Sequence, residues 1–290
     1  MPSYYNYQPP IKKSRRGLVW FSALLFFAGL FSGLYYIDQK LEARQQRQAY
    51  WQAKETALAD RSVTVIEGWN NQQIAEKLAT SQIGFTAKEF LKTANSPEQD
   101  QAKYQFLADR PDDAGLEGYL FPDTYRFRAS STPEETIEKM LNNLDSKLTP
   151  KMRQDIHNQG KTVYQIITMA SLIEKEVRST KDMKMVSGIF WNRIANGQRL
   201  ESCATLAYIL GENKPQYSYE ETRIDSPYNT YINYGLPVGP ISNPGIKAIE
   251  AAIYPTNNDY NFFLTRPDTG ETIFSRTFEE HKANKAKYLQ

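Results

Sequence analysis

Cysteine and histidine are scarce in this chain of 290 residues, which has one cysteine and two histidines. A single cysteine, Cys203, cannot form a disulfide within the chain. His157 and His281 have no neighbouring cluster of metal-ligating side chains, which argues against a zinc site and against a Ser-His-Asp triad. The sequence also lacks a glycine-rich loop of the kind that cradles phosphate groups. These absences argue against metal-dependent and nucleotide-dependent enzymes, so we expect no cofactor and no metal.

Excess positive charge is confined to the first 16 residues. This segment carries Lys12, Lys13, Arg15 and Arg16 and no acidic side chain, which gives it a charge of +4. The whole chain has a net charge of +2, so the residues after 16 together carry −2. The body of the protein is therefore not basic, which argues against a partner of nucleic acid.

Residues 17–37 contain no charged side chain. As a helix this segment would be about 31 Å long, which matches a hydrocarbon core of about 30 Å. A cleaved signal peptide is the alternative, but residues 35–38 (Tyr-Tyr-Ile-Asp) offer no small-x-small cleavage site. We therefore predict a cytoplasmic tail at 1–16, a single transmembrane helix in the lipid bilayer at 17–37, and residues 38–290 outside the cytoplasm.

The exported part reads as short helices with few strands. Residues 38–61 are polar and predict a helical stalk. A strand at 62–66 and helices at 71–79 and 86–94 follow within 40 residues, which predicts a compact module. The other predicted elements are a helix opened by a capping box at Thr132 and ending near Leu148, helices over 163–178, 181–196 and 243–253, a hairpin pairing 260–265 with 272–275, and a terminal helix. Residues 212–243 show no period, and so long an irregular segment is typical of a functional loop.

Glu174 is an acid close to the apolar face of the helix predicted over 163–178. On a helical wheel it lies roughly 50° from the centre of the apolar stripe, whereas Glu176 lies roughly 110° away. Burial would raise the pKa of Glu174, as a general acid requires. The alternative is a glutamate at the stripe edge that reaches water or pairs with an arginine, and the wheel alone favours this reading. The stripe consists of Val163, Ile166, Ala170, Ile173 and Val177.

Two segments are dense in aromatic side chains, namely 119–127 and 217–234. Tyrosine rings stack on sugars, and the polar atoms of Asn, Glu and Tyr can fix sugar hydroxyls. In an exported domain these segments indicate a carbohydrate or peptidoglycan ligand. A tyrosine-rich core is an equally good reading, and both stay open at this point.

Five ordered motifs carry a resemblance to a known family. The sequence resembles the endolytic murein transglycosylases (the MltG or YceG-like family) from about residue 62 to the C-terminus. Residues 63–78 are similar to the LysM-like subdomain of that family, which implies a LysM-like subdomain at 62–112 and a catalytic transglycosylase domain at 113–290. The implied fold class is α+β: a single N-terminal transmembrane helix, a small LysM-like subdomain and a mixed α+β catalytic domain. The motifs are Leu116-Glu-Gly-Tyr-Leu-Phe-Pro-Asp-Thr-Tyr125, Ala170-Ser-Leu-Ile-Glu-Lys-Glu176, Asn192-Arg193, Ser226-Pro-Tyr-Asn-Thr-Tyr231 and Gly235-Leu-Pro-Val-Gly-Pro-Ile-Ser-Asn-Pro-Gly245.

The resemblance places Glu174 at the position of the family's catalytic glutamate. It implies cleavage of the β-1,4 bond between N-acetylmuramic acid and N-acetylglucosamine within peptidoglycan glycan strands, with 1,6-anhydro ends and no metal or cofactor. It also implies a bacterial cytoplasmic (inner) membrane protein that terminates nascent strands. The implied protein partners are penicillin-binding proteins and other cell-wall synthesis proteins.

Five further residues are candidates for substrate binding. Glu117 is the main candidate for a second acid, and the alternative is a turn or strand-edge glutamate that accepts a bond from a backbone N–H. Tyr119, Tyr228, Asn229 and Tyr231 are candidates to line the glycan cleft.

The chain departs from the family pattern at one motif. The family often has Leu-Gln-Ser/Thr-Asp-x-Thr where this chain has Leu200-Glu-Ser-Cys-Ala-Thr205. Either the role of that aspartate is absent here or it passes to Glu201. We expect Cys203 to be a small buried packing residue and not a nucleophile. Two other functions stay open: a non-catalytic peptidoglycan-binding scaffold, and a muramidase in which Glu117 or Glu201 acts as nucleophile or water activator.

Overall fold

The computed structural model describes residues 16–96, 103–214 and 216–289, in two compact units divided between Leu58 and Ala59. The described part of the first unit is one helix, α1 (Arg16–Leu58), which includes the segment predicted as span and residues 38–58 of the predicted stalk. The last residues of that stalk prediction are wrong, because the chain is already in a strand from Asp60. Within the described residues, no helix has the length and apolar content needed to cross a membrane. The transmembrane helix predicted at 17–37 is therefore not confirmed. The predicted tail lies, apart from Arg16, outside the described residues.

The second unit is a mixed α+β assembly, which confirms the predicted class at that level. Its first half contains β1 (Asp60–Thr64), α2 (Asn71–Thr80), α3 (Ala87–Ala94), a 3-10 turn (Gln105–Leu107), β2 (Thr124–Arg128), α4 (Pro133–Lys147) and α5 (Pro150–Asn158). Its second half contains α6 (Val163–Glu176), α7 (Thr180–Ala195), α8 (Cys203–Leu210), a 3-10 turn (Glu221–Arg223), α9 (Ile246–Ile253), β3 (Phe262–Thr265), β4 (Thr272–Ser275) and α10 (Phe278–Tyr288).

Local sequence signals set several of these helix starts. Thr132 accepts a hydrogen bond from the backbone of Glu135, whose side chain bonds back, so the predicted capping box opens α4. Thr86 begins α3 and Thr162 begins α6 in the same way. The start predicted at Asn243 is wrong by a few residues: α9 begins at Ile246, because the side chain of Asn243 bonds to other segments.

The strand predicted at 62–66 is present as β1, and its partner is distant in sequence. β1 pairs antiparallel with β2, from Asp60 opposite Arg128 to Thr64 opposite Thr124. The predicted boundary at residue 112 thus falls inside the compact unit 59–290. The sheet turns alternate side chains such as Val63 and Tyr125 into the core.

Helix α6 lies at the centre of the second unit and packs against α9, α7 and α8. Every member of the predicted apolar stripe is buried, which confirms it. The helix is more enclosed than a single stripe implies, because Ile167, Met169 and Leu172 are buried as well. A rigid, enclosed helix fixes the direction of the side chains in its last turn, where Glu174 and Glu176 lie.

The predicted hairpin and terminal helix are confirmed. β3 and β4 pair antiparallel, from Phe262 opposite Ser275 to Thr265 opposite Thr272, and α10 packs on both strands. Phe263 contacts Phe190 of α7 with ring centroids 5.9 Å apart. This contact packs the hairpin on α7.

Candidate active site

Glu174 lies in the last turn of α6, partly exposed, in a cleft of about 640 Å³ that we call the Glu174 cleft. Four segments form its walls: the turn after β1, the C-terminal end of α6, the residues after α8 at Asn213, and the β3–β4 hairpin. The charged side chains that line it are Glu67, Glu174, Lys175, Glu176, Arg178 and Arg266. The acid predicted to be catalytic therefore lies in the wall of an open cleft.

Opposing contacts act on the Glu174 carboxyl. Burial raises its pKa above the ordinary value, and the nearby Glu67 carboxylate raises it further. The backbone N–H of Gly245 donates to Glu174 Oε2 at 3.0 Å, which favours the charged form. Lys175 and Lys247 lower the pKa in the same way, but the net direction is upward. The group thus holds a proton more readily than a free glutamate and keeps a donor for its carboxylate form.

Two glycines allow Glu67 and Glu174 to lie side by side. A Cβ atom on Gly245 would come within 2.0 Å of Glu67 Oε1, and one on Gly68 would lie 3.3 Å from Glu174 Cγ. Gly68 also has a φ of +79°, which disfavours any other residue. Glu67 was not among the residues predicted from the sequence, although the Glu-Gly turn after a strand was an available signal.

Glu176 was also missed, because the wheel places it away from the apolar stripe. Its carboxyl accepts a hydrogen bond of 2.5 Å from Ser202 Oγ, at the N-terminus of α8. Burial raises its pKa, while Ser202 and Arg193 act in the opposite direction. Glu176 lines both the Glu174 cleft and a neighbouring hollow of about 340 Å³, which we call the Glu176 hollow.

The residues at the family departure line this second hollow. Glu201 is exposed and has a positive φ of +50°. The expectation that Cys203 is buried is wrong: it is exposed, at the first position of α8, where its side chain faces the hollow. Its Sγ lies 3.0 Å from the hydroxyl of Tyr231.

Among the predicted cleft tyrosines of the irregular segment, one lines a hollow. Tyr231 is partly buried and lines the Glu176 hollow. Tyr228 is partly buried and packs against Tyr208, with ring centroids 5.0 Å apart. It does not line the Glu174 cleft or the Glu176 hollow.

Asn229 is fully buried, with 0% of its surface exposed, so it is not available to a ligand in this structure. Its side-chain amide donates to the carbonyl oxygens of Thr222 at 3.1 Å and Ile224 at 2.8 Å. Its side-chain oxygen accepts from the backbone N–H of Tyr231 at 2.9 Å. Asn229, a predicted substrate contact, thus organises the irregular segment in this structure.

Tyr119 is likewise a core residue with 0% exposure. Its ring stacks on Phe106 with centroids 6.0 Å apart. In this structure Tyr119, a predicted cleft residue, presents no surface to a ligand. Phe121, Tyr125 and Phe127 are also buried, so the tyrosine-rich core is the correct reading of the first aromatic segment.

Glu117 holds separate parts of the unit together. Its carboxyl accepts from the backbone N–H of Asn71, the first residue of α2, at 3.1 and 3.2 Å. It also accepts from the Asn243 side chain at 3.1 Å. Burial raises the pKa of Glu117 to about 8, although these bonds favour the charged form. The contacts match the alternative in which Glu117 bonds a backbone N–H.

A family model and a solved structure both match this chain, and both are described as YceG-like. The model of the YceG-like family matches residues 11–287. A crystal structure of a yceG-like protein from Listeria monocytogenes is 37% identical, with a TM-score of 0.70 over 77% of this chain and 75% of that chain.

Two curated relatives are named endolytic murein transglycosylase. The Bacillus subtilis (strain 168) protein is 34% identical over 235 residues, which are 78% of this chain and 65% of the relative. The Streptococcus pneumoniae serotype 2 (strain D39 / NCTC 7466) protein is 35% identical over 246 residues, 79% of this chain and 44% of the relative. The match thus spans less than two thirds of either relative's length. Because the family model matches nearly all residues of this chain, the chain belongs to the YceG-like family, as its motifs predicted.

Proposed function

We propose that this protein is an endolytic peptidoglycan lytic transglycosylase with Glu174 as its catalytic acid and base. It would cleave the β-1,4 bond between N-acetylmuramic acid and N-acetylglucosamine inside a glycan strand. The relatives named endolytic murein transglycosylase support the activity. The observation that carries the proposal is the position of Glu174, a partly buried acid with a raised pKa in the wall of an open cleft.

The reaction follows from one carboxyl group used twice. Protonated Glu174 donates its proton to the glycosidic oxygen, and the electron pair of the breaking bond to C1 goes to that oxygen. The resulting carboxylate takes the proton of the muramic C6 hydroxyl, and O6 bonds to C1 to close a 1,6-anhydro ring. The N–H of Gly245 stabilises the carboxylate between the two transfers. The raised pKa supports the first step, and this bond supports the second.

Adjoining hollows support cleavage within a strand and not only at its end. The Glu174 cleft and the Glu176 hollow both border Glu176, so they adjoin at this residue, and we call the row of adjoining hollows the groove. A further hollow of about 440 Å³ shares Arg193, Glu201 and Phe262 with the Glu176 hollow. A groove longer than the acid's own cleft can hold sugars on at least one side of the cleaved bond.

We further propose that residues 17–37 anchor the enzyme in the bacterial cytoplasmic membrane, with the N-terminus inside. The uncharged run and the basic residues before it support this arrangement. Large apolar side chains of this part of α1, such as Trp20, Phe31 and Leu34, are exposed. The strand-helix-helix order of residues 62–112 is in keeping with a LysM-like part. Tethered in this way, the enzyme would cut nascent strands beside cell-wall synthases such as penicillin-binding proteins.

The products test the activity. The full chain in detergent is incubated with purified glycan strands in ¹⁸O-labelled water, and the new ends are analysed by mass spectrometry. Transglycosylation gives 1,6-anhydro ends without ¹⁸O, because no water is consumed. Hydrolysis gives reducing ends that carry ¹⁸O, and a scaffold binds the glycan unchanged. Either of these two results rejects the proposed activity.

A muramidase is the second candidate, because Glu67 provides a second carboxylate beside Glu174. Hydrolysis by a glycosidase normally uses two carboxylates, one as acid and one as nucleophile or base. If Glu67 has that role, the wild-type enzyme forms reducing ends, and Glu67→Gln abolishes this cleavage. If it only adjusts Glu174, the variant still produces anhydro ends.

A further inference from the structure

The groove ends at a hollow whose chemistry differs from that of the Glu174 cleft. We call it the Tyr234 hollow; its volume is about 440 Å³, and residues 197–199, Tyr234 and Asn261 form its outer part. It joins the Glu176 hollow through Arg193, Glu201 and Phe262. A glycan strand that lies across Glu174 and follows these adjoining hollows would reach Tyr234.

Tyr234 presents an oriented aromatic face. Its side chain is 65% exposed, and the guanidinium of Arg199 lies 4.7 Å from the ring centroid. This contact restrains the ring, so less rotational freedom is lost when a ligand binds. Aromatic faces stack on the C–H surfaces of sugar rings.

Polar side chains line the same hollow as this ring. Arg193 donates to the carbonyl oxygens of Leu200 at 2.5 Å and Asn261 at 2.7 Å, which ties α7 to the segment before β3. Gln198 lines the same hollow and offers an amide to sugar hydroxyl or acetamido groups. An exposed ring beside amide and guanidinium donors is the combination that carbohydrate sites use.

A similar pair elsewhere provides a natural comparison. Tyr219 is 70% exposed, and the guanidinium of Arg223 lies 5.2 Å from its ring centroid. Tyr219 lines none of the three hollows. If Tyr234 were only a surface stack, its removal would have the same effect as removal of Tyr219.

We propose that Tyr234 and Arg199 form a remote sugar subsite, which binds a ring of the glycan strand several units from the bond at Glu174. The subsite rests on the proposed function for the identity of its ligand. It makes strands that reach Tyr234 better substrates than shorter ones, so the groove sets a minimum length for efficient cleavage.

Turnover of defined glycan oligomers tests the subsite. The full chain in detergent is given peptide-free glycans of increasing length, and kcat/KM is measured from the anhydro ends formed. Tyr234→Ala should reduce the preference for long over short oligomers about 10-fold, mainly through KM, since one sugar-sized contact is worth about that factor. Tyr234→Phe, which keeps the ring, should retain the preference, and so should Tyr219→Ala. An unchanged preference in Tyr234→Ala, or an equal loss at every length, overturns the subsite.

A binding measurement separates the subsite from the catalytic proposal. Fluorescence anisotropy of a labelled long glycan is measured with Glu174→Gln, alone and combined with Tyr234→Ala or Tyr219→Ala. Addition of Tyr234→Ala should weaken the affinity about 10-fold, whereas Tyr219→Ala should not. Equal affinities, or no binding by Glu174→Gln, reject the subsite. Wild-type protein that binds with this pattern but forms no anhydro ends rejects the catalytic proposal alone.

Discussion

Removal of the Glu67 charge should shift the pH dependence of catalysis. Glu67→Gln keeps the shape of the side chain beside Gly245 but removes the negative charge that raises the pKa of Glu174. Because Glu174 must be protonated to act as the acid, activity falls as the pH rises through its pKa. A lower pKa therefore moves the alkaline limb of kcat/KM to lower pH.

The size of the shift follows from Coulomb's law for neighbouring charges and from the exposure of Glu67. Two unit charges about 5 Å apart interact with about 3 kcal/mol at an effective dielectric constant of about 20. Glu67 is exposed, so solvent screening reduces this to about 1 kcal/mol. One pKa unit corresponds to about 1.4 kcal/mol. We therefore expect the pKa of Glu174 to fall by up to about one unit in Glu67→Gln.

The assay is kcat/KM for anhydro-end formation by wild type, Glu67→Gln and Lys247→Gln between about pH 4 and pH 9. Lys247 is exposed on α9 and lowers the pKa of Glu174, so its substitution should move the alkaline limb the opposite way, to higher pH. Structural damage would lower activity at every pH without moving the limb. Two unshifted limbs, or shifts of the same sign, would refute the electrostatic account of this site.

Three further predictions concern the frame around the site. Asn243→Ala removes the acceptor of the Leu120 N–H bond of 2.8 Å and leaves that buried group unpaired, so the free energy of unfolding by denaturant should fall by about 2–4 kcal/mol. Gly188→Ala would place a Cβ 2.2 Å from the carbonyl oxygen of Thr256, and the clash should cost about 1–3 kcal/mol in the same assay despite the better helix propensity of alanine. Cys203 should react with a maleimide in the folded protein, more slowly than a free thiol because the protein atoms around its sulfur partly desolvate it and raise its pKa; labelling only after unfolding would contradict its exposed position.

Local signals account for the parts of the fold that the sequence predicted well. The capping box at Thr132 involves residues within one turn, and the α6 stripe repeats with the helical period. Turn residues between β3 and β4 set a hairpin whose strands are adjacent in the chain. Each of these patterns is complete within about 15 residues, so no knowledge of the tertiary fold is needed.

The site itself depends on contacts between distant segments. Glu67 reaches Glu174 because the turn after β1 meets the N-terminus of α9 at Gly245, and no local period reports that meeting. The pairing of β1 with β2 is similarly non-local. The density of aromatic residues around Tyr119 made it a candidate for stacking on a sugar. Tertiary packing decides which side chains of a strand or turn face the core, and it buries Tyr119 there.

Glu174→Gln tests the central claim most directly. It is measured in the full chain by the rate of 1,6-anhydro end formation, with Glu76→Gln, an exposed helical glutamate outside the groove, as the matched control. Loss of a general acid and base should lower the rate by at least about 1,000-fold, with the thermal unfolding transition retained. Glu76→Gln should keep the wild-type rate. A Glu174→Gln enzyme that is folded and cleaves within about 10-fold of the wild-type rate would contradict the assignment of Glu174.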